Sequence, residues 1–246
     1  MKISIITVCF NSDKTIEKTI QSVLNQTHTE VEYIIIDGGS TDGTLPIIRK
    51  YENQIDYWKS EPDKGLYDAM NKGIEVANGS LIGILNSDDT FYSEDVLERI
   101  SKLHSEKNVD ASVGDIVQCG VTGELKRVFT ARKWVPKQLT QGFMPPHPSI
   151  FFKKKLFEKH GLYLLDFKIA ADYEIITRFF LKHNISWVYS GIVTTSMLMG
   201  GVSSSGIESY KKITKEIQRA LTLNNVPFSR VKISLRFIRK IKECLV

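Results

Sequence analysis

Apolar and polar positions alternate in two different rhythms along the first hundred residues. Ile3–Cys9 is an almost unbroken β-branched run, the composition of a strand buried on both faces. Val31–Ile36 and Leu81–Leu85 are similarly apolar and read as strands, and Ile55–Lys59 reads as a further strand between them. Between them the apolar residues recur at helical spacing. Ser12 or Asp13 is predicted to cap a helix through Asn25, with Ile16, Ile20, Val23 and Leu24 on one face. Further helices are predicted over Thr44–Tyr51 and Leu66–Asn78, the latter stopped by Gly79, and another is opened by Ser93 with Glu94 and Asp95 in its first turn. Strand and helix alternating at this spacing imply a parallel sheet with right-handed crossovers.

The rhythm changes after Asn108. Ala111–Gln118 and Leu125–Thr130 read as antiparallel strands around a turn at Gly120–Gly123. Pro145-Pro146-His147-Pro148 is a rigid loop leading into a strand at Ser149–Phe152. A helix is predicted over Ala171–His183, with strands at Trp187–Tyr189 and Val193–Met197. A glycine- and serine-rich segment at Met199–Gly206 precedes a long helix from Ile207 to about Leu223. No internal repeat or low-complexity linker is present.

Length and charge narrow the picture. A chain of 246 residues with 42% apolar and 25% charged residues suits one large domain with a small C-terminal addition. Cys9, Cys119 and Cys244 are odd in number and too scattered for a zinc pattern, so they read as reduced thiols of a cytosolic protein. The apolar start stops at Asn11 with no small-residue cleavage site after it, which favours a buried strand over a signal peptide. No apolar stretch approaches the roughly 18 residues that span a bilayer. The net charge is +5. From Phe228 to Val246 six cations face one anion, so the excess belongs to the tail and nothing points to nucleic acid. Val231, Leu235, Ile238, Ile241 and Leu245 recur there at helical spacing, as in a basic amphipathic helix that lies on a membrane or packs on the domain.

In parallel sheets ligands bind outside the carboxyl ends of the strands. The polar clusters of this chain fall there: Asn11, Asp37 and Asp88-Asp89. Two adjacent acids after a buried strand suit a hard divalent cation that also holds substrate phosphates; the alternative is a solvated turn. Asp37 can accept a hydrogen bond from a nucleobase N–H, such as N3–H of uracil, or serve as a turn residue before Gly38-Gly39. No Gly-Lys-Ser/Thr follows that loop, and the dinucleotide fingerprint is absent.

Four segments occur in order: Ile5-Ile6-Thr7-Val8-Cys9-Phe10-Asn11, Ile36-Asp37-Gly38-Gly39-Ser40-Thr41-Asp42-Gly43-Thr44, Asp63–Gly73, and Leu85-Asn86-Ser87-Asp88-Asp89. Together they resemble the signature of family 2 inverting glycosyltransferases of the GT-A fold, over residues 1 to about 205. The third segment resembles the subgroup that builds bacterial polysaccharides such as O-antigen or capsule. The resemblance implies an α/β fold of the Rossmann-like GT-A type, with a mostly parallel central sheet flanked by helices. It divides the chain into a nucleotide-sugar half (1–107), an acceptor and catalytic half (108–205) and a helical C-terminal extension (206–246).

Carried onto this chain, the resemblance implies that Thr7, through its backbone, Asn11 and Asp37 line the nucleoside pocket, with Asp63 and Asp68 beside the nucleotide. Asp88 would reach the ribose or the metal, and Asp89 would ligate the metal, Mg2+ or Mn2+. Asp172 would be the catalytic base; where many relatives have Glu before it, Ala171 stands here, which removes a possible acceptor-side hydrogen bond. The implied donor is a nucleoside diphosphate sugar, with a UDP-sugar the first candidate. The implied acceptor is a saccharide or lipid-linked saccharide at the cytoplasmic membrane face.

His147, between prolines, is a loop histidine by default and an acceptor or metal contact as the alternative. Arg178, on the Asp172 helix, is expected in a surface or structural ion pair, and Met199–Gly206 could close over the diphosphate. Two other classes compete. A sugar nucleotidyltransferase would carry a glycine-rich, arginine-containing loop where Cys9-Phe10-Asn11-Ser12 stands, and a non-catalytic binding module would be expected to lack Asp89 or Asp172.

Overall fold

Every residue of β1 (Ile3–Cys9) is buried, and its two sides face different cores. Ile3, Ile5 and Cys9 pack on one face of the sheet, while Ile6 and Val8 pack on the other. The same alternation divides β2 (Val31–Asp37), with Tyr33 and Ile35 against Ile34 and Ile36. Covering both faces is why these strands read as continuous apolar runs. The computed structural model describes residues 1–120, 122–199, 206–234 and 236.

Helices α1 (Ile16–Leu24), α2 (Thr44–Lys50) and α4 (Val96–Lys107) cover the first face. The second face is covered by α3 (Leu66–Val76), α6 (Ala171–Thr177) and α7 (Gly206–Leu223). Strand β3 (Tyr57–Ser60) and β4 (Leu81–Ile84) complete a parallel block in the order β3-β2-β1-β4. A mixed block continues the sheet. It contains β8 (Ile150–Lys153), β6 (Ala111–Cys119), β9 (Trp187–Leu198) and β5 (Asp89–Phe91), with β7 (Leu125–Phe129) paired to β6. β6 runs parallel to β9, whereas β8, β5 and β7 are antiparallel to their neighbours. Short helices α5 (Lys155–His160) and α8 (Arg230–Ser234) fill the periphery. α3 lies so close on β1 that a Cβ on Gly73 would stand 2.4 Å from Ile6 Cγ2.

Several boundaries depart from the sequence pattern for identifiable reasons. Helix α1 begins at Ile16 with no side-chain cap. Ser12 and Asp13 are recruited elsewhere: the Ser12 hydroxyl meets that of Ser87 at 2.8 Å, and the Asp13 N–H donates to Asp42 at 3.1 Å. Helix α4 starts at Val96, because the Ser93 hydroxyl is turned onto the Asp95 carboxylate at 2.5 Å. The two strands expected near residues 187–197 are one strand, kinked where Gly191 takes φ +67° and the pairing with β6 slips. The helix expected through His183 is α-helical only to Thr177 and continues as a π-helical turn, Arg178–Lys182. Most of the basic tail and of Met199–Gly206 lies outside the described residues. In the described turn of the tail Val231 is exposed, but Ile233 is buried in the core and Arg236 lies over the Tyr210 ring.

The amino ends of the strands are clamped by Glu32, which is 5% exposed. Its carboxylate accepts from Ser4 Oγ at 2.5 Å, Asn78 N at 2.6 Å, Gly79 N at 3.2 Å and Lys2 Nζ at 3.0 Å. Burial pushes this carboxyl up, but the hydrogen bonds from Ser4, Asn78 and Lys2 outweigh it and hold it at about 2. The folded value lies below the ordinary one, so the stabilisation is complete above about pH 4.5 and is lost as pH falls towards 2. Glu32→Gln should lower unfolding stability at pH 7 by about 2 kcal/mol. In urea titrations the gap between variant and wild type should narrow at pH 3; a constant gap would assign Glu32 a packing role alone.

Candidate active site

Polar side chains gather where β1, β2 and β4 end. Past β1, Asn11 takes a left-handed conformation (φ 50°), which asparagine tolerates better than most residues. Its Oδ1 accepts from Thr41 N at 2.9 Å and its own N–H donates to Ser40 Oγ at 2.7 Å, so the β1 and β2 loops are stitched together. Thr7 lies within β1, fully buried, with its hydroxyl accepting from Tyr33 OH at 3.2 Å. Its backbone lies in the β1–β2 ladder opposite Ile35.

Asp37 is buried at the end of β2 and surrounded by donors. Gly39 N (3.0 Å), Ser40 N (2.9 Å), Ser40 Oγ (2.5 Å) and Ser60 Oγ (2.6 Å) all donate to it. Burial pushes its carboxyl up, and the two hydroxyls and the Ser40 N–H more than offset this, so it is held below the usual range. A nucleobase N–H can reach Asp37 only if one of those hydroxyls rotates away. The Cys9 thiol, 3.5 Å from the same carboxylate, is pushed far up by burial and by that charge, and stays protonated. Among the described residues Cys9 and Cys119 are free thiols, and Cys244 lies outside them.

Asp63 stands across this loop: a Cβ on Gly38 would meet its Oδ2 at 2.6 Å. Its other oxygen accepts from Gly65 N at 2.7 Å. Asp68 closes the same turn, accepting from Lys64 N at 3.1 Å and pairing with Lys72 at 3.4 Å.

The acidic loop after β4 is fixed from beneath. Thr19 Oγ1 lies 3.0 Å from the Ser87 carbonyl and 2.7 Å from that of Asp89, and Ser12 joins Ser87 to the β1 loop. The carboxylates themselves are poorly satisfied. Asp89 is 1% exposed; its Oδ1 has no partner, and Asn86 Nδ2 lies 3.4 Å from Oδ2. The Asn86 side-chain oxygen Oδ1 is also without a partner among the described residues. Burial, then the neighbouring Asp88 charge, raises the Asp89 carboxyl well above its ordinary value; burial alone raises Asp88. Orphaned hard oxygens of this kind fit a divalent cation. Among the described residues no group of three or more acidic, histidine or cysteine side chains is placed to hold a metal ion by itself, so Asp88 and Asp89 could supply only part of a coordination shell.

Asp172 occupies the second position of α6, half-buried. Burial dominates and raises its carboxyl to about 6, against the pull of the Tyr173 N–H at 2.7 Å. Tyr67 OH lies 3.4 Å from Asp172 but donates its one proton to the Ile169 carbonyl at 2.6 Å. The neighbouring acids are engaged otherwise. Glu174 is buried in an ion pair with Arg178 at 2.8 Å and accepts from Asn224 at 3.0 Å, which makes Arg178 a structural pair. Asp166 pairs with Arg219.

His147 does not stand alone in its loop: Nε2 is hydrogen-bonded to Tyr163 OH at 2.7 Å, and burial depresses the ring to about 4, leaving it neutral. Tyr163 stacks on Tyr67 with centroids 5.7 Å apart, so His147 and Asp172 flank one aromatic pair. Asn71, one turn along α3 from Tyr67, exchanges two 2.9 Å hydrogen bonds with the backbone of Tyr163. Tyr67 and Asn71 stand at i, i+4 on one helix face, and that spacing is the signal in the sequence that both meet one neighbour. Phe10, just past β1, is 62% exposed.

Residues 4–162 match the sequence profile of the glycosyl transferase family 2. The chain belongs to glycosyltransferase family 2. This glycosyltransferase is 38% identical over 183 residues to an uncharacterized glycosyltransferase of Mycobacterium tuberculosis, covering 72% of this chain and 68% of that one. It is 28% identical over 210 residues to a PGL/p-HBAD biosynthesis glycosyltransferase of Mycobacterium bovis, covering 83% and 80%. Its fold is that of Staphylococcus aureus TarS 1–349 in complex with UDP-GlcNAc: TM-score 0.70, 20% identity, 97% of this chain and 72% of that one. It spans 41% of a longer TarS chain. The mannosyltransferase PcManGT of Pyrobaculum calidifontis, with GDP-Man and Mn2+, superposes with TM-score 0.66 at 17% identity, covering 96% and 68%. The GT-A fold and a glycosyltransferase activity follow, and the two competing classes fall away.

The unsatisfied Asp89 oxygen makes a metal test direct. Mn2+ titrated by electron paramagnetic resonance, with UDP present, should bind the wild type and bind Asp89→Asn at least tenfold more weakly. Equal binding by both would remove the ion from this loop.

Proposed function

We propose that this glycosyltransferase moves a sugar, with inversion, from a nucleoside diphosphate sugar to a hydroxyl of a saccharide or lipid-linked saccharide in cell-surface polysaccharide assembly. A UDP-sugar is the first candidate donor. The UDP-GlcNAc complex of the TarS neighbour supports that choice, and the GDP-Man complex of PcManGT marks guanosine as its main competitor.

The observation that carries the reading is Asp172. Of the three acids between residues 166 and 174, two are engaged in ion pairs. The third is half-buried with its carboxyl raised to about 6, where a general base works best near neutral pH. Asp172 would take the acceptor proton as the glycosidic bond forms. Phe10 offers an exposed ring for a base to stack on, and Asp37 with Asn11 would border the nucleoside. Asp88 and Asp89 would hold Mg2+ or Mn2+, which when bound neutralises charge on the departing diphosphate. No described helix is long and apolar enough to cross a membrane. Peripheral contact through the basic residues after Phe228 remains our account of how the chain meets a lipid-linked acceptor.

Diphosphate release should be screened across UDP-, GDP- and dTDP-sugars; turnover confined to GDP- or dTDP-sugars would overturn the uridine assignment. With the donor so found, Asp172→Asn should lose at least about a hundredfold in turnover. For the wild type, kcat/KM should fall about tenfold per pH unit below about 6 as the base becomes protonated. A raised carboxyl costs folding stability as pH rises from about 4 to about 6, so Asp172→Asn should melt no lower than wild type at pH 7. Near-normal turnover by Asp172→Asn would dismiss it as the base.

A further inference from the structure

One carboxylate on α7 is directed wholly at the turn that presents Asp172. Glu216 Oε1 accepts from Lys168 N at 2.8 Å, and Oε2 accepts from Ile169 N at 2.9 Å and Ala170 N at 2.8 Å. The carbonyl of the same Ile169 takes the Tyr67 hydroxyl at 2.6 Å. Ile169 is therefore held through its N–H from α7 and through its C=O from α3. Asp172 follows three residues later.

The grip extends to either side. Arg219, on the next turn of α7, donates to the Asp166 carbonyl at 3.0 Å and pairs with its carboxylate. Asn224 donates to Glu174 at 3.0 Å. Between these polar contacts Ile217, Ala220 and Leu221 are buried in the core. Apolar packing alone would keep α7 on the domain while leaving the 168–170 backbone free to shift. Three convergent charge-assisted hydrogen bonds fix that backbone in direction as well as in distance.

We propose that Glu216 is a positioning residue for Asp172, so that the C-terminal helix α7 is part of the catalytic apparatus. The proposal rests on reading Asp172 as the base. The titratable groups facing that carboxyl are Tyr67 from α3, Tyr163 from the loop after α5, and Glu216 from α7. Of these, Glu216 carries the negative charge, and it adds to burial in raising the Asp172 carboxyl.

Glu216→Gln keeps the volume and one acceptor oxygen but turns an NH2 group towards backbone N–H groups and removes the charge. In the full chain, kcat with the donor found by the screen should fall at least tenfold, because small displacements of a reacting group cost rate steeply. UDP affinity, measured by calorimetry, should stay within about twofold of wild type. The acid limb of kcat/KM, and the Asp172 titration followed by carbon-13 NMR of labelled aspartate Cγ, should both move to lower pH. Should Glu216→Gln not fold, Glu216→Asp carries the test: the charge stays, the reach shortens, kcat should fall and the titration should hold. Wild-type kcat and an unmoved titration in Glu216→Gln, beside an inactive Asp172→Asn, would overturn the proposal alone. An active Asp172→Asn would overturn the base assignment and the proposal with it. UDP affinity falling in step with kcat would make α7 a general support of the fold and overturn the proposal too.

Discussion

A strand buried on both faces can carry no chemistry along its length. β1 and β2 are such strands, and this constraint shapes the rest of the molecule. Polar side chains are pushed to the strand ends, where loops can reach solvent and each other. At one end Glu32 binds the strands together; at the other Asn11, Asp37 and the Asp88-Asp89 loop form the cleft. The loops are joined by side-chain hydroxyls, with Ser12 against Ser87 and Ser40 against both Asn11 and Asp37, so the loops after β1, β2 and β4 form one hydrogen-bonded rim.

The second half of the site is attached through α3. Tyr67 and Asn71 rise from α3 and hold the segments that carry Asp172 and Tyr163. A helix that covers the sheet therefore also ties those segments to it, and Gly73 lets that helix lie close on β1. α7 grips the 168–170 turn from the other side, so that turn is held between two helices that are distant in sequence.

Much of this was legible in the sequence because periodicity reports burial. The parallel block, the helices over it and the polar strand ends all follow from which residues need cover. Glu174 lies two residues beyond Asp172, a spacing that puts it on another face of the helix, and i, i+4 spacing pairs it with Arg178 instead. Other features escaped because they depend on partners far along the chain. Ser12 has the composition of a helix cap, yet it serves Ser87, 75 residues away. The single kinked strand β9 reads as two because Gly191 and its neighbours break the apolar run. The saturation of Asp37 depends on Ser60, and no local pattern announces it.

The two ends of the sheet treat the same functional group in opposite ways. The Glu32 carboxylate is finished: each oxygen has its donors, and any change removes something. The Asp89 carboxylate is left incomplete, with one oxygen that finds no hydrogen-bond partner among the described residues. Natural selection for durability alone would have filled that gap with an amide or an apolar residue. An engineer seeking a heat-resistant version of this enzyme would find Glu32 untouchable and Asp89 inviting. Taking the invitation would give a sturdier protein that had lost the buried oxygen best suited to a hard cation.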